Sequence, residues 1–266
     1  MKPSGKNVLQ TILAPLISIS LLLVVWQLAI LVFKLHPIIL PPPLSVLKAL
    51  WIQREVLFRA TCVTGGAALA GLSCSILIGS LLAVLFSQSR WIRAACFPYV
   101  IFLQTVPIVA IAPLLIIWSG YNFRTIVIVS FIISLFPIVS NVTAGLISID
   151  RNLLELFKLY HANRWQTLLR LRIPAAVSHL VLGARISSGM AVIGTIVGEF
   201  FVGNGGQYDG LGSVMTGWQS LQKTDALMAA IIVSTILGVA MFAIVNLISS
   251  TLLYRWTKSS GLDDAL

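Results

Sequence analysis

Few of the side chains that carry out chemistry in proteins are spaced here so that they could act together. Of the three histidines, His36 and His161 fall in polar segments and His179 lies near one end of an apolar run. The acidic residues lie outside the interiors of the apolar runs, and the cysteines lack close pairing. An enzyme inside a membrane needs a nucleophile beside a base, or a set of metal ligands. The spacing therefore argues against catalysis and predicts no metal site.

A glycine-rich stretch is the second candidate for chemistry. It contains Gly203-Asn204-Gly205-Gly206, followed by Gly210 and Gly212. A phosphate-binding loop needs the order G-x-x-x-x-G-K-[ST] after a buried strand, and this stretch has neither. We therefore expect a surface turn or a docking loop, and no bound nucleotide.

Two charged residues occur in or beside one apolar run. Arg185 lies about a third of the way into it, where a charge is costly unless it is paired or hydrated. It either forms a salt bridge or snorkelling contact, or attracts an anionic substrate. Glu199 ends the run, where an exposed acidic side chain costs little free energy. We expect it to gate the pathway or dock a partner.

Polar residues in the apolar runs provide a candidate lining for a pathway through the membrane. Most such residues only form hydrogen bonds between helices, so packing remains the alternative. Gly194 and Gly198 form a GxxxG match that tight helix packing explains. The candidate lining residues are Gln104, Thr105, Pro107, Ser134, Asn141, Arg185, Ser188 and Glu199.

The composition indicates that all these residues are positioned by membrane helices. Of the 266 residues, 58% are apolar and only 10% are charged, against about a quarter in an ordinary soluble domain. A helix needs about 20 apolar residues to cross a bilayer, and exposed sheet edges are not tolerated there. We therefore predict an all-α polytopic protein with about six transmembrane helices. The predicted spans are approximately 10–33, 62–87, 94–119, 124–146, 176–199 and 226–254.

The basic residues indicate the orientation and one partner. The net charge is +10, but the cations are scattered between apolar runs, which favours anionic lipid over nucleic acid. Lysine and arginine concentrate on the cytoplasmic side of membranes, which predicts cytoplasmic termini. The eleven inner cations are Lys2, Lys6, Arg90, Arg93, Arg151, Lys158, Arg164, Arg170, Arg172, Arg255 and Lys258, against six outer ones: Lys34, Lys48, Arg54, Arg59, Arg124 and Lys223. An outer segment from Leu44 to Arg59 is predicted to form an amphipathic surface helix.

The inner loop from Asp150 to Ala176 has a pattern of its own. Asp150 is a predicted helix cap, and Asn163 is a second one after a break at His161. Pro174 is expected to end the second short helix. The first helix carries apolar positions at helical spacing: Leu153, Leu156, Phe157 and Tyr160. This apolar ridge either rests on lipid headgroups or fills a groove on a soluble partner.

Glu155, the following turn and Arg172-Ile173-Pro174 resemble the EAA loop of ABC transporter permeases, specifically those of the nitrate, sulfonate and taurine importer family. The resemblance extends from about Pro41 to the last span. Other segments match in order: Gln104-Thr105-Val106-Pro107, Ala112-Pro113-Leu114, Trp118-Ser119-Gly120, Phe136-Pro137, Arg164-Trp165-Gln166, Gly183-Ala184-Arg185, Gly198-Glu199-Phe200 and Gly210-Leu211-Gly212. The family usually has small residues where this chain has Leu156-Phe157, and glycine where it has His161. Histidine tolerates positive φ better than most residues, so we expect the turn to survive.

The resemblance implies the type I importer fold in a bacterial cytoplasmic membrane. The chain would be a non-catalytic permease subunit, paired with a second copy, on two ATPase subunits that hold ATP and Mg²⁺, and fed by an external substrate-binding protein. It implies an N-terminal transmembrane helix in 1–40, an external segment in 41–61 and a core domain in 62–258 with the coupling loop at 150–174. The residues implied to contact the ATPase are Leu153, Glu155, Leu156, Phe157, Tyr160, His161, Ala162 and Arg164.

The resemblance leaves the substrate open. A small anion such as nitrate, a sulfonate, taurine or bicarbonate is expected, with a pyrimidine or thiamine precursor or a riboflavin-like vitamin as the alternative. A secondary transporter would normally show internal repeats and broken helices at the midplane, and the sequence shows no convincing case of either. Pro107, Pro113 and Pro137 are expected to bend the spans that contain them.

Overall fold

The computed structural model describes residues 5–203 and 209–259, whose regular elements are all helices; the side chains of 5–12, 15 and 252–259 lie outside that description. Its helices are α1 (Gly5–Phe33), α2 (Pro43–Ile52), α3 (Arg54–Gln88), α4 (Arg90–Thr105), α5 (Ile108–Ser119), α6 (Phe123–Ile147), α7 (Arg151–Leu159), α8 (Arg164–Thr167), α9 (Ile173–Val202), α10 (Leu211–Ser220) and α11 (Thr224–Ser259). A π-helical turn, Leu168–Arg172, joins α8 to α9.

The polytopic helical fold is confirmed. Within the described ranges, five helices are long and apolar enough to cross a membrane, and the pair α4–α5 makes a sixth crossing if it counts as one span. The prediction of one helix over 94–119 is wrong, because α4 and α5 meet at an angle of 99°. Pro107 has no N–H and disfavours helical backbone at the preceding residue. Val106 is accordingly extended, at φ −69° and ψ 127°.

The outer segment after the triple proline is helical, as expected, but it contains two helices rather than one surface helix. α2 forms within it, but α3 already begins at Arg54, eight residues before the predicted span at 62. Val46 and Ala49 of α2 are buried in an apolar cluster with Trp218 of α10 and Ala226 of α11. α2 therefore packs through one face against α10 and α11.

Pro174 does not end the second loop helix, so that prediction is wrong. α8, the π turn and α9 form one helical stretch from Arg164 to Val202. The Ile173 N–H donates to the Leu168 carbonyl five residues back, which is the bond of a π turn. Pro174 lies in α9 just after this π turn, so the irregular turn lies where the missing proline N–H interrupts the regular bonding. Pro113 and Pro137 likewise lie within α5 and α6.

The centre of the fold is a close contact between α6 and α9. A Cβ on Gly194 would lie 2.9 Å from the Ser130 Cα, and one on Gly198 would lie 3.3 Å from the Ile126 Cα. The Ser130 hydroxyl donates to the Ala191 carbonyl at 2.9 Å. The GxxxG match therefore does mark tight helix packing, as predicted. α3 joins them through the Ser75 hydroxyl, which donates to the Phe131 carbonyl at 2.9 Å.

Replacing Gly194 with leucine should separate α6 from α9. Overpacking of this kind lowers the free energy of unfolding by about 1–3 kcal/mol, so the apparent Tm of the detergent-purified protein should fall by several degrees. Gly189→Leu is the matched control on the same helix, because no atom lies within 4 Å of a Cβ placed there. Equal apparent Tm values for the two variants, measured by scanning fluorimetry, would contradict the packing described here.

Candidate functional site

The loop between α6 and α9 forms the predicted helix-turn-helix, and both predicted caps are present. The Asp150 carboxylate accepts from the Asn152 N–H at 2.9 Å. The Asn163 side chain accepts from the Gln166 N–H at 2.7 Å, and the Gln166 side chain accepts from the Asn163 N–H at 2.8 Å. This reciprocal pair is a capping box, which fixes the direction in which the second helix starts.

The turn between the two loop helices depends on His161. Its φ is 51°, so a histidine does occupy the left-handed position where glycine is usual. The Ala162 N–H donates to the Phe157 carbonyl, and the His161 N–H donates to the Lys158 carbonyl, both at 2.9 Å. These two bonds form a Schellman motif at the end of α7. The expectation that the turn survives without glycine is confirmed.

The apolar ridge of α7 is exposed on one face. Leu153 and Leu156 are each 45% exposed, and Tyr160 is 80% exposed. Four of the predicted coupling residues line one pocket of about 290 Å³, together with Gln166 and Arg170; they are Leu156, Phe157, Tyr160 and Ala162. Large exposed apolar patches commonly mark interaction sites. The pocket and ridge therefore form one continuous surface on which a partner could dock.

The other predicted coupling residues are placed differently. His161 shapes the turn, and Arg164 lines a second pocket beside α3. Glu155 is exposed, but its five-residue separation from Tyr160 puts it on another face of α7. The structure thus separates the predicted set into an apolar face and residues around it.

Glu199 does not lie at an exposed outer end, and the expectation of an exposed acid is wrong. It is fully buried, and its carboxylate accepts from the Thr64 hydroxyl and from the Gly212 N–H, each at 2.8 Å. The Thr64 hydroxyl also accepts from the Leu211 N–H at 2.8 Å. Free N–H groups at a helix start carry partial positive charge, so the start of α10 stabilises this carboxylate.

Two of the predicted loop glycines are needed for this contact. A Cβ on Gly210 would overlap the Glu199 carboxylate, and one on Gly212 would lie 2.5 Å from the Ile196 carbonyl. Asn204, Gly205 and Gly206 lie outside the described residues. The glycines that are described therefore allow close backbone approach rather than phosphate binding.

Arg185 lies within α9 and is only partly buried. Its Nε is buried and has no hydrogen-bond partner among the described residues. A single chain thus leaves part of this guanidinium group unsatisfied.

The rest of the predicted lining divides into two groups. Gln104, Thr105 and Pro107 are exposed at the break between α4 and α5. Ser134, Asn141 and Ser188 instead bond to backbone carbonyls of their own helices, at 2.7 to 2.8 Å. Ser134 also shares a hydrogen bond of 2.7 Å with the Ser75 hydroxyl of α3, which is the contact between helices that the packing alternative describes. Thr64 was missed by sequence reasoning, because nothing near it in the chain indicates that it pairs with a residue 135 positions away.

Comparison with known proteins finds a matching family model and several relatives. The model described as "Binding-protein-dependent transport system inner membrane component" matches residues 75–257. A probable ABC transporter permease protein of Haemophilus influenzae is 31% identical over 87% of this chain and 93% of its own length. The riboflavin transport system permease protein RibX of Chloroflexus aurantiacus is 31% identical over 91% of this chain and 90% of its own.

Other relatives are named for different substrates. The formylaminopyrimidine transport permease protein ThiX of Halalkalibacterium halodurans is 30% identical over 92% of this chain and 96% of its own. Putative aliphatic sulfonates transport permease proteins of Escherichia coli and Bacillus subtilis are 28% and 25% identical.

Removing the Glu199 carboxylate should destabilise the contact between α9, α3 and α10. In Glu199→Ala the Gly212 N–H and the Thr64 hydroxyl lose their acceptor inside the protein, which costs about 1–3 kcal/mol per unsatisfied group. We expect a lower apparent Tm, with a smaller fall in Glu199→Gln, which keeps one acceptor oxygen. Glu55→Ala removes an exposed acid and is the control. An unchanged Tm in Glu199→Ala would disprove the structural role.

Proposed function

Because the chain belongs to the family of binding-protein-dependent transport system inner membrane components, we propose that it forms, with a second permease copy, the translocation pathway of an ATP-binding-cassette importer. Two ATPase subunits would drive it and an external substrate-binding protein would supply the solute. The observation that carries the proposal is the exposed apolar face of α7, which is held by a capped helix start and a Schellman turn between two membrane helices.

The face of α7 fits the way in which short helices dock in grooves of partner proteins. Such helices insert apolar residues spaced three or four apart, as Leu153, Leu156 and Tyr160 are. The caps fix both ends of the helix, so little conformational entropy is lost when it binds. We assign this face to contact with the ATPase, and the turn at His161 and Arg164 to its border.

The energy for transport would come from the partner. The sequence has no G-x-x-x-x-G-K-[ST] order, so we place ATP and Mg²⁺ on the ATPase subunits and treat this chain as non-catalytic. When those subunits close on ATP, α7 would move with them. The membrane helices would then reorient to expose the pathway on the other side.

We also propose the membrane arrangement of the chain. The N-terminal unit, 1–40, would be a separate helix, because the most apolar part of α1 has none of its residues buried against the rest of the chain. Residues 41–61 would form the outer segment and 62–258 the core, with the coupling loop at 150–174. The positive-inside bias supports cytoplasmic termini in a bacterial inner membrane, although the side chains of Lys2, Lys6, Arg255 and Lys258 lie outside the described residues.

For the pathway itself we propose the exposed residues near the α4–α5 break, Gln104, Thr105 and Pro107, with Arg185 on α9. Backbone that is not helical is tolerated at membrane depth only where it is buried in protein or lines a wet cavity. The unsatisfied Arg185 Nε supports placing it where water, substrate or the second copy can reach it.

For the substrate, the comparisons favour the candidate that the sequence resemblance placed second. Relatives named for riboflavin and formylaminopyrimidine are 31% and 30% identical, against 25–28% for those named for aliphatic sulfonates. We therefore propose a heteroaromatic vitamin or vitamin precursor, with a small anion such as nitrate, taurine, bicarbonate or a sulfonate as the second candidate.

The docking face can be tested with two added carboxylates. Leu156→Asp combined with Tyr160→Asp should insert normally but lose co-purification with the ATPase, because a charged face cannot fill an apolar groove without desolvation. Arg151→Asp changes the charge by the same amount on the opposite side of α7, nine residues from Tyr160, and should retain the ATPase. If the double variant keeps its ATPase, α7 does not dock it.

The substrate can be tested on the cognate binding protein by calorimetry. Riboflavin and a formylaminopyrimidine should bind with submillimolar affinity, while taurine, nitrate, bicarbonate and an alkanesulfonate give no measurable heat. Binding of the anions alone would reverse the order of the two candidates and leave the role of the permease unchanged.

A further inference from the structure

A basic pocket lies between the last turn of α3 and the α7–α8 loop. Its volume is about 260 Å³, and its lining includes three cations and no carboxylate. The lining residues are Ser87, Gln88, Leu154, Lys158, Ala162, Arg164, Thr167 and Arg172. Like charges gathered without a counter-ion repel one another, so the pocket favours an anion.

The three cations keep most of their donors free. The Arg172 Nη1 donates to the Ser87 carbonyl at 3.1 Å, which holds the guanidinium group at the pocket wall. A guanidinium group has five N–H donors, so four remain. Within residues 5–203 and 209–259, Lys158 and Arg164 have no side-chain hydrogen bond or ion pair. The pocket can therefore offer several charged donors to one ligand.

An apolar groove begins where the basic pocket ends. Its volume is about 360 Å³, and its lining comes from α3, α6 and α9: Ile76, Leu77, Ser80, Leu81, Val84, Val142, Leu146, Ile173, Ala176, Val177 and Leu180. Leu77 and Leu81 on its rim are each 66% exposed. Val84 lines the groove and Ser87 lines the pocket, one helical turn or about 5 Å apart along α3. Arg172, which lines the pocket, and Ile173, which lines the groove, are consecutive residues.

From this continuity we infer that the pocket and groove together bind one anionic phospholipid. Its phosphate would lie among Lys158, Arg164 and Arg172, and an acyl chain would lie along the groove. The pocket lies at the depth of the lipid headgroups, because Gln88, which lines it, is the last residue of the membrane helix α3. Basic pockets at the cytoplasmic ends of membrane helices are suited to such headgroups.

A carboxylate of the ATPase is the competing occupant, and the geometry favours the lipid. Lys158 is two residues from both Leu156 and Tyr160, which puts it on roughly the opposite side of α7 from the docking face. A protein carboxylate would also leave the neighbouring apolar groove unfilled. The lipid satisfies the charge and covers the apolar surface in one molecule.

The test measures the phosphatidylglycerol that stays bound when the full-length chain is extracted into detergent from bilayers of phosphatidylcholine with one fifth phosphatidylglycerol. Lys158→Gln, Arg164→Gln and Arg172→Gln combined should retain at least about tenfold less phosphatidylglycerol per chain than the native protein. Arg90→Gln, Arg93→Gln and Arg151→Gln remove the same charge from residues outside the pocket and should retain it. Equal retention by both triple variants overturns the inference.

A second pair of variants tests the groove without touching the charges. Leu81→Trp fills it and should lower retention several-fold, whereas Leu85→Trp on the same helix, which does not line the groove, should not. If Leu81→Trp has no effect and 50 mM inorganic phosphate displaces the lipid, the pocket binds a free anion instead. If the basic triple variant keeps the lipid but loses the ATPase, the pocket belongs to the docking site. Either result overturns the inference.

Discussion

The architecture depends on how closely α6 and α9 approach each other. Lipid is as apolar as a leucine side chain, so helices in a membrane associate through close packing and hydrogen bonds rather than through the hydrophobic effect. Gly194 and Gly198 allow the backbones to meet, and the Ser130 hydroxyl bonds across the contact to the Ala191 carbonyl. Because α7 lies in the connection between these two helices, the same contact determines where the apolar face of α7 is presented.

The contact is reinforced near the other end of α9 by the buried Glu199. A carboxylate in an apolar region is unfavourable unless hydrogen bonds compensate for the lost water. The Thr64 hydroxyl of α3 and the Gly212 N–H of α10 provide those bonds. α9 and α10, which are neighbours in sequence, and the distant α3 therefore share one polar centre. A residue that looks like a surface acid in the sequence thus contributes to the cohesion of this end of the fold.

Local and long-range features differed in how well the sequence predicted them. The caps Asp150 and Asn163 and the positive φ of His161 involve partners within five residues, so the residue type and spacing were sufficient. Pro107 and Pro174 could not be distinguished in this way. Both lack an N–H, yet one separates two helices at 99° and the other is absorbed by a π turn. The burial of Glu199 was also unpredictable, since Thr64 lies 135 residues away.

The uninterrupted helix from the loop into α9 has a mechanical consequence. From Arg164 to Glu199 it extends roughly 50 Å at 1.5 Å per residue. The π turn and Pro174 near the loop end provide a point at which this helix can tilt, and a tilt of about 5° there displaces the far end by about 4 Å. On the other side, α7 reaches α6 through Ser148 and Ile149, which are not helical. α7 is joined to α8 by the non-helical residues 160–163, which the Schellman turn and the capping box hold in place, so movement of α7 reaches α9 through a hydrogen-bonded turn and reaches α6 through a short non-helical link.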